Sequence, residues 1–128
     1  MSIISLTAIF IGGGLGSVCR YALSRVFIVQ GYAGRFPFAT LMSNILACGI
    51  MALVVYLSVR YRSINDQWLI FWLVGFCGGF STFSTFSYEN WLLYRDGTYG
   101  LLLLNILVSL LLCFLIFAWA GKHINVSG

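Results

Sequence analysis

Four long runs of apolar residues, joined by short polar connections, make up most of this chain. They cover about residues 3–29, 38–59, 67–94 and 99–121. Each run is long enough to cross the bilayer as a helix, which takes about 20 residues. Only 8% of the 128 residues are charged, against about 25% in an average soluble domain. We therefore predict an all-α integral membrane protein with four transmembrane helices, forming a single membrane domain over residues 1–128.

The composition also excludes several classes of function. The seven Lys and Arg residues are scattered and mostly flank apolar runs, so we expect no nucleic-acid partner. Three acidic residues and one histidine leave too little for acid–base catalysis or a metal site of the usual side chains, so we expect no enzyme. The four cysteines fall in four different runs and are interpreted as packing residues. The first run follows no basic leader, so we expect no cleaved signal peptide.

The third run contains a polar segment, residues 75–89, with the sequence GFCGGFSTFSTFSYE. It places two adjacent glycines and six hydroxyl side chains where hydrocarbon offers no water to polar groups. Each glycine weakens a helix by about 1 kcal/mol relative to alanine, so we predict that the third helix is broken at Gly78-Gly79. Freed carbonyls there could bind a cation, with Gly78 and Ser81 as candidate donors. Close helix packing through small residues explains the glycines equally well.

Three phenylalanines, Phe80, Phe83 and Phe86, recur every third residue in this segment. Such a stripe usually faces a protein core or lipid. A second interpretation uses ring electrostatics, because an aromatic ring is positive at its edge. Ring edges along a narrow path could then receive an anion, with the hydroxyls of Ser84 and Thr85 as donors beside them.

Other polar side chains also lie inside the runs; they are Asn44, Asn105, Ser109, Arg20 and Glu89. Interhelical hydrogen bonding explains the two amides and the hydroxyl, and a line of neutral donors along an anion path explains them as well. Arg20 could snorkel to an interface or attract anions at the mouth of a water-filled vestibule. Glu89 could cap a network of Ser and Thr hydroxyls or carry a proton.

The positive charges are balanced across the predicted membrane. Four spans place both termini on one side, and each side carries three cations when Arg20 is set aside as too deep. They are Arg60, Arg62 and Lys122 on the terminal side, and Arg25, Arg35 and Arg95 on the other. Orientation normally follows an excess of Lys and Arg on the cytoplasmic side. Without that excess, we predict that copies insert both ways and pair as an antiparallel dimer.

The polar segment at residues 75–89 closely resembles the signature of the Fluc (CrcB-type) bacterial fluoride channels. Residues 12–20 (GGGLGSVCR) resemble the first-helix motif of that family, and residues 40–44 (TLMSN) resemble its Gly-Thr-Leu-x-x-Asn segment. The similarity covers essentially the whole chain. It implies a dual-topology antiparallel homodimer in the bacterial inner membrane, with two fluoride pathways along the subunit interface. Its implied role is passive export of F⁻, which relieves fluoride toxicity.

The resemblance also assigns roles to residues. It implies a Na⁺ ion at the dimer centre, held by the backbone carbonyls of Gly78 and Ser81, and it places the paired pore phenylalanines at Phe83 and Phe86. The other implied pathway residues are Asn44, Ser84, Thr85, Glu89, Arg20 and, by a looser match, Asn105 and Ser109. The chain departs from the family pattern at Ala39, where Gly is frequent, at Ser81, where Thr is frequent, and at Tyr88, where a smaller residue is common.

Two other classes of membrane protein are alternatives. A proton-coupled small multidrug exporter also has four helices, but that class needs a carboxylate deep in its first span, and residues 3–29 contain no Asp or Glu. A non-transporting assembly subunit would use the hydroxyl-rich helix only for packing.

Overall fold

Five helical elements form four membrane-length segments in the computed structural model, which describes residues 1–31 and 34–125. The elements are α1 (Ile3–Val29), α2 (Phe38–Arg60), α3 (residues 66–80), α4 (Phe83–Arg95) and α5 (Tyr99–Asn125). α3 and α4 together form the third segment, Asp66–Arg95. All four segments are long and apolar enough to cross a membrane. The prediction of an all-helical protein with four spans is confirmed.

The third span is irregular before it is interrupted. α3 is α-helical at both ends and π-helical in the middle, over Ile70–Phe76. The N–H of Cys77 accordingly donates to the carbonyl of Trp72, five residues earlier. Such wide turns are rare and frequently lie at functional sites. This one directly precedes the polar part of the span.

The interruption lies at Ser81 and Thr82, three residues later than the predicted break at Gly78-Gly79. Both glycines belong to the last helical turn of α3, Cys77–Phe80. Ser81 (φ −79°, ψ 156°) and Thr82 (φ −152°, ψ 116°) are extended. A hydrogen bond from another helix determines the position, because the N–H of Thr82 donates to Oδ1 of Asn44 at 2.9 Å. The hydroxyl of Thr82 then caps the start of α4.

The glycines of α1 and α3 bring the backbones of these two helices into contact. A Cβ added at Gly12 would lie 2.6 Å from the carbonyl oxygen of Phe71, and one at Gly79 would overlap the carbonyl of Gly13. By contrast, a Cβ at Gly78 would meet nothing within 4 Å. The packing interpretation of the glycine pair therefore applies to Gly79. Gly78 is exposed and contacts no other part of the subunit at this point.

Polar side chains are buried in this subunit, while large apolar ones cover its outside. Leu107 and Phe114 on α5 are examples of exposed apolar side chains. The buried polar residues are Thr40, Ser43, Asn90, Asn105 and Ser109. This distribution suits a protein whose outer surface meets lipid, because hydrocarbon cannot satisfy hydroxyl and amide groups.

Candidate ion pathway

A groove of about 220 Å³ opens beside the interruption of the third span. Its wall comprises Asn44 and Cys48 from α2, residues 81–83 and Phe86 from the third span, and Ser109, Leu110 and Cys113 from α5. The structure thus brings four predicted pathway residues to one groove: Asn44, Phe83, Phe86 and Ser109. All of the lining side chains are uncharged.

Asn44 and Thr82 organise the interruption. Because Oδ1 of Asn44 accepts the N–H of Thr82, the amide NH₂ of Asn44 keeps its two hydrogens as donors. The hydroxyl of Thr82 accepts the backbone N–H of Thr85 at 3.3 Å and donates to the Thr85 hydroxyl at 3.1 Å. The hydroxyl of Ser84 lies 3.3 Å from that of Thr82. The two predicted hydroxyl donors, Ser84 and Thr85, therefore do not line the groove themselves but contact the hydroxyl of Thr82, which does.

The two predicted pore phenylalanines are neighbours with very different exposure. Their ring centroids lie 6.0 Å apart and their planes are inclined by 40°. Phe86 is half-buried, whereas Phe83 is 79% exposed in the single subunit. The ring of Phe83 therefore has most of its surface available to something outside the subunit.

A chain of buried amides links α4 to the groove. Asn105, only 1% exposed, donates from Nδ2 to Oδ1 of Asn90 at 2.8 Å. The hydroxyl of Ser109 donates to Oδ1 of Asn105 at 3.4 Å. Asn105 thus makes one interhelical hydrogen bond, to Asn90, as one interpretation expected, and one within α5, to Ser109. Of this group, only Ser109 lines the groove. Sequence reasoning missed Asn90, although it directly follows the singled-out Glu89.

Glu89 pairs with a residue that sequence reasoning also missed. The hydroxyl of the buried Thr40 donates to Oε1 of Glu89 at 2.7 Å. The other oxygen, Oε2, is buried and has no hydrogen-bond partner among the described residues. An unsatisfied buried acceptor costs about 1–3 kcal/mol, so binding of a hydrogen-bond donor to Oε2 of Glu89 would be favourable. The resemblance of residues 40–44 to a family segment was the available signal for Thr40.

Arg20 contacts the interruption from the side of α1. Its Nε donates to the carbonyl of Gly79 at 3.2 Å, and the hydroxyl of Ser17 donates to the same oxygen at 3.4 Å. Arg20 does not belong to the groove wall. In this structure its guanidinium compensates a carbonyl at the end of α3, which the interruption leaves without a helical N–H.

The carbonyls at the end of α3 offer oxygen ligands for a hard cation. In a continuing helix the N–H of Thr82 would bond the carbonyl of Gly78, but here it bonds Asn44. Gly78 itself is exposed. Residues 1–31 and 34–125 contain no group of three or more His, Cys, Asp or Glu able to hold a metal. The backbone carbonyl oxygens of Gly78 and Ser81 are ligands of the type that suits a hard cation.

A family model described as "CrcB-like protein, Camphor Resistance (CrcB)" matches residues 7–122 of the chain. The chain belongs to the CrcB family. The match begins in α1 and ends in α5, so it includes every residue of the groove. The resemblance found in the motifs is thereby confirmed, and the CrcB chain is a multi-pass membrane protein.

Curated relatives of this CrcB chain carry the name "Fluoride-specific ion channel FluC". The one from Azobacteroides pseudotrichonymphae is 43% identical and aligns over 79% of this chain and 80% of its own length. The one from Geotalea daltonii is 42% identical, over 90% of this chain and 93% of the relative. The one from Pyrococcus abyssi is 40% identical, over 95% of this chain and 100% of the relative.

Proposed function

We propose that this protein is a fluoride channel, which lets F⁻ cross the membrane passively along the groove beside the interrupted third span. The observation that carries the proposal is that Asn44, Ser109, Phe83 and Phe86 share one uncharged groove. The CrcB relatives named as fluoride-specific channels, which align over most of the chain, support the same function. This is transport, not catalysis.

The chemistry of the groove suits a small and strongly hydrated anion. Such an ion must find hydrogen-bond donors that replace its water. The amide NH₂ of Asn44 and the positive edges of Phe83 and Phe86 supply them. The hydroxyl of Ser109, which donates to Asn105 in this structure, would supply a further donor on turning towards the groove. Because these groups carry no net charge, the anion binds weakly enough to leave again, which conduction requires.

The physiological direction follows from acid–base equilibrium. Undissociated HF enters a cell across the bilayer, and F⁻ accumulates because HF dissociates at cytoplasmic pH. A passive channel in the bacterial inner membrane then lets the membrane potential drive F⁻ outward, which relieves fluoride toxicity.

The groove is proposed to be completed by a second copy in the opposite orientation. Phe83 is 79% exposed beside polar groups, so one subunit leaves the pathway open to its surroundings. The balanced cations permit insertion in both directions. Two inverted copies related by a two-fold axis would present two equivalent pathways along one isologous interface.

A structural Na⁺ at the centre of this dimer is proposed to bind the carbonyls of Gly78 and Ser81. Facing copies would bring four such oxygens together. A cation there would neutralise the partial negative charge that gathers at the C-terminal ends of the two α3 helices.

Fluoride efflux from liposomes, read with a fluoride electrode, tests the function. We expect rapid efflux with the wild-type protein and at least a tenfold loss with Phe86→Ile or Phe83→Ile, because isoleucine fills space without a polarised ring edge. The matched control is Phe114→Ile, at a 68% exposed position of α5 outside the groove wall, which should conduct normally. Proton-dependent uptake of a cationic drug would indicate an exporter, and absence of any flux would indicate an assembly subunit.

The inverted dimer predicts labelling from both faces of the membrane. Ser63→Cys places a thiol in the connection between α2 and α3, and Gly100→Cys places one in the first turn of α5, at the opposite side of the membrane. Neither change alters the charge. Gly100 has room for a Cβ, whereas the neighbouring Gly97 has φ 73° and would be strained by a side chain. With an impermeant maleimide outside sealed vesicles, we expect each variant to label to about half. Wild-type protein gives the background from native thiols. Labelling of one variant only would eliminate dual topology.

A further inference from the structure

Two cysteines stand next to each other in the wall of the groove. Cys48 on α2 and Cys113 on α5 are both half-buried and both line the groove with Phe86 and Ser109. The two side chains come from neighbouring helices and face the same space, within range of each other's influence.

The other two cysteines are in different surroundings. Cys77 is 1% exposed, and its Sγ donates to the carbonyl of Ala47 at 3.6 Å, which is the behaviour of a packing residue. Cys19 is exposed on α1 and does not belong to the groove wall. Both are therefore useful controls for the pair.

We propose that Cys48 and Cys113 form a two-thiolate binding site for a soft monovalent cation of the Cu⁺ or Ag⁺ class, and that occupation of this site closes the groove to anions. The second half of this proposal rests on the proposed fluoride pathway. The first half rests on the position of the two thiols in one groove wall.

The ligand chemistry favours this class of cation. Thiolates are soft ligands that select soft metals, and closed-shell monovalent ions of this class readily bind two sulfurs in a linear arrangement. Two S–H bonds break, two metal–sulfur bonds form and two protons leave to water. The metal keeps its oxidation state, so the step needs no oxidant or reductant.

Occupation of the site would obstruct an anion in two ways. The metal and the two sulfurs on either side of it take up space in a groove of about 220 Å³, next to Phe86 and Ser109. Two thiolates and one monovalent cation also carry a net charge of about −1 by the charges of the deprotonated ligands. A negative charge in a poorly screened wall repels F⁻.

The test uses Ag⁺ in nitrate buffers free of chloride and thiols, on protein carrying Cys19→Ala to remove the exposed competing thiol. Purified protein is mixed with one equivalent of Ag⁺ per subunit, alkylated with a maleimide and mapped by mass spectrometry. We expect Ag⁺ to protect Cys48 and Cys113 together. Cys48→Ser should abolish the protection of Cys113, and Cys113→Ser should abolish that of Cys48. Two variants are used because the result then does not depend on the folding of either one.

A second measurement follows fluoride efflux before and after Ag⁺, with each variant compared with its own metal-free flux. Ag⁺ should reduce efflux at least tenfold in the Cys19→Ala protein, a thiol chelator should restore it, and the additional Cys48→Ser change should abolish inhibition. Unprotected thiols would overturn the site whatever the flux shows. Protected thiols with undiminished flux would overturn the block. Absence of metal-free flux would overturn the fluoride pathway, and the alkylation result would still decide the metal site.

Discussion

Replacement of Asn44 by aspartate is expected to reduce fluoride flux by about a thousandfold while the protein still folds. The new carboxylate would lie in the groove wall beside the path. Two unit charges of like sign about 4 Å apart repel by about 4 kcal/mol at an effective dielectric constant of about 20. Since each 1.4 kcal/mol changes a rate about tenfold, the barrier for F⁻ rises by about three orders of magnitude.

The fold should survive this change because the structural role of Asn44 requires only a hydrogen-bond acceptor. Its Oδ1 receives the N–H of Thr82, and a carboxylate oxygen accepts that bond equally well. The matched control is Asn65→Asp, where Oδ1 accepts the N–H of Gln67 at 3.0 Å, at an exposed helix start outside the groove. Both variants should elute as monodisperse protein, and only Asn44→Asp should lose efflux. Full flux through Asn44→Asp would remove this residue from the pathway.

Substitution of Gly16 by alanine is expected to prevent α1 from packing against α3, so that the subunit does not fold stably. An added Cβ would overlap the carbonyl oxygen of Phe76 and lie 2.8 Å from the backbone nitrogen of Phe80. These obstacles are main-chain atoms, so α1 would have to move away from α3. Overpacking of this kind costs typically 1–3 kcal/mol and occasionally more, and we expect about 3 kcal/mol here because the backbone cannot yield locally.

The measurement is the yield of monodisperse protein in mild detergent and its thermal unfolding temperature. Gly14→Ala is the matched control on the same helix, because a Cβ there would meet nothing within 4 Å. It should be recovered like the wild type or be slightly more stable, since alanine favours a helix by about 1 kcal/mol over glycine. Equal recovery of Gly16→Ala and Gly14→Ala would show that the α1–α3 crossing is looser than described.

The lengths of the apolar runs were enough to predict the four spans, because the bilayer fixes how many residues a helix needs. The position of the interruption was not predictable in the same way. Local propensity identifies Gly78 and Gly79 as weak helix formers, yet both are helical. The interruption lies three residues later, where Asn44 accepts a hydrogen bond from Thr82, 38 residues away along the chain. No local pattern contains that bond.

The candidate site divides along the same line. Polar groups and aromatic stripes inside a span are unusual enough to be recognised in a sequence. They led to the prediction of Asn44, Phe83, Phe86 and Ser109, which the structure brings together in one groove. Thr40 and Asn90 were missed because an isolated hydroxyl or amide near a span end is unremarkable in a sequence. Their significance lies in their partners, Glu89 and Asn105, and partners on other helices are known only after the chain has folded.

The interruption of the third span also bears on how the protein enters the bilayer during synthesis. α3 and α4, with 15 and 13 residues, each extend about 20 Å at 1.5 Å per residue, well short of the 30 Å hydrocarbon layer. Of the four spans, the third also has the lowest mean hydropathy, 1.5 against 1.6, 2.1 and 2.9. The glycine face of α1 and the amide of Asn44 on α2 are synthesised before it. The first two helices are thus already present when the third span inserts. The glycines of α1 give it a surface for close packing, and Asn44 accepts the backbone N–H that the interruption leaves unpaired.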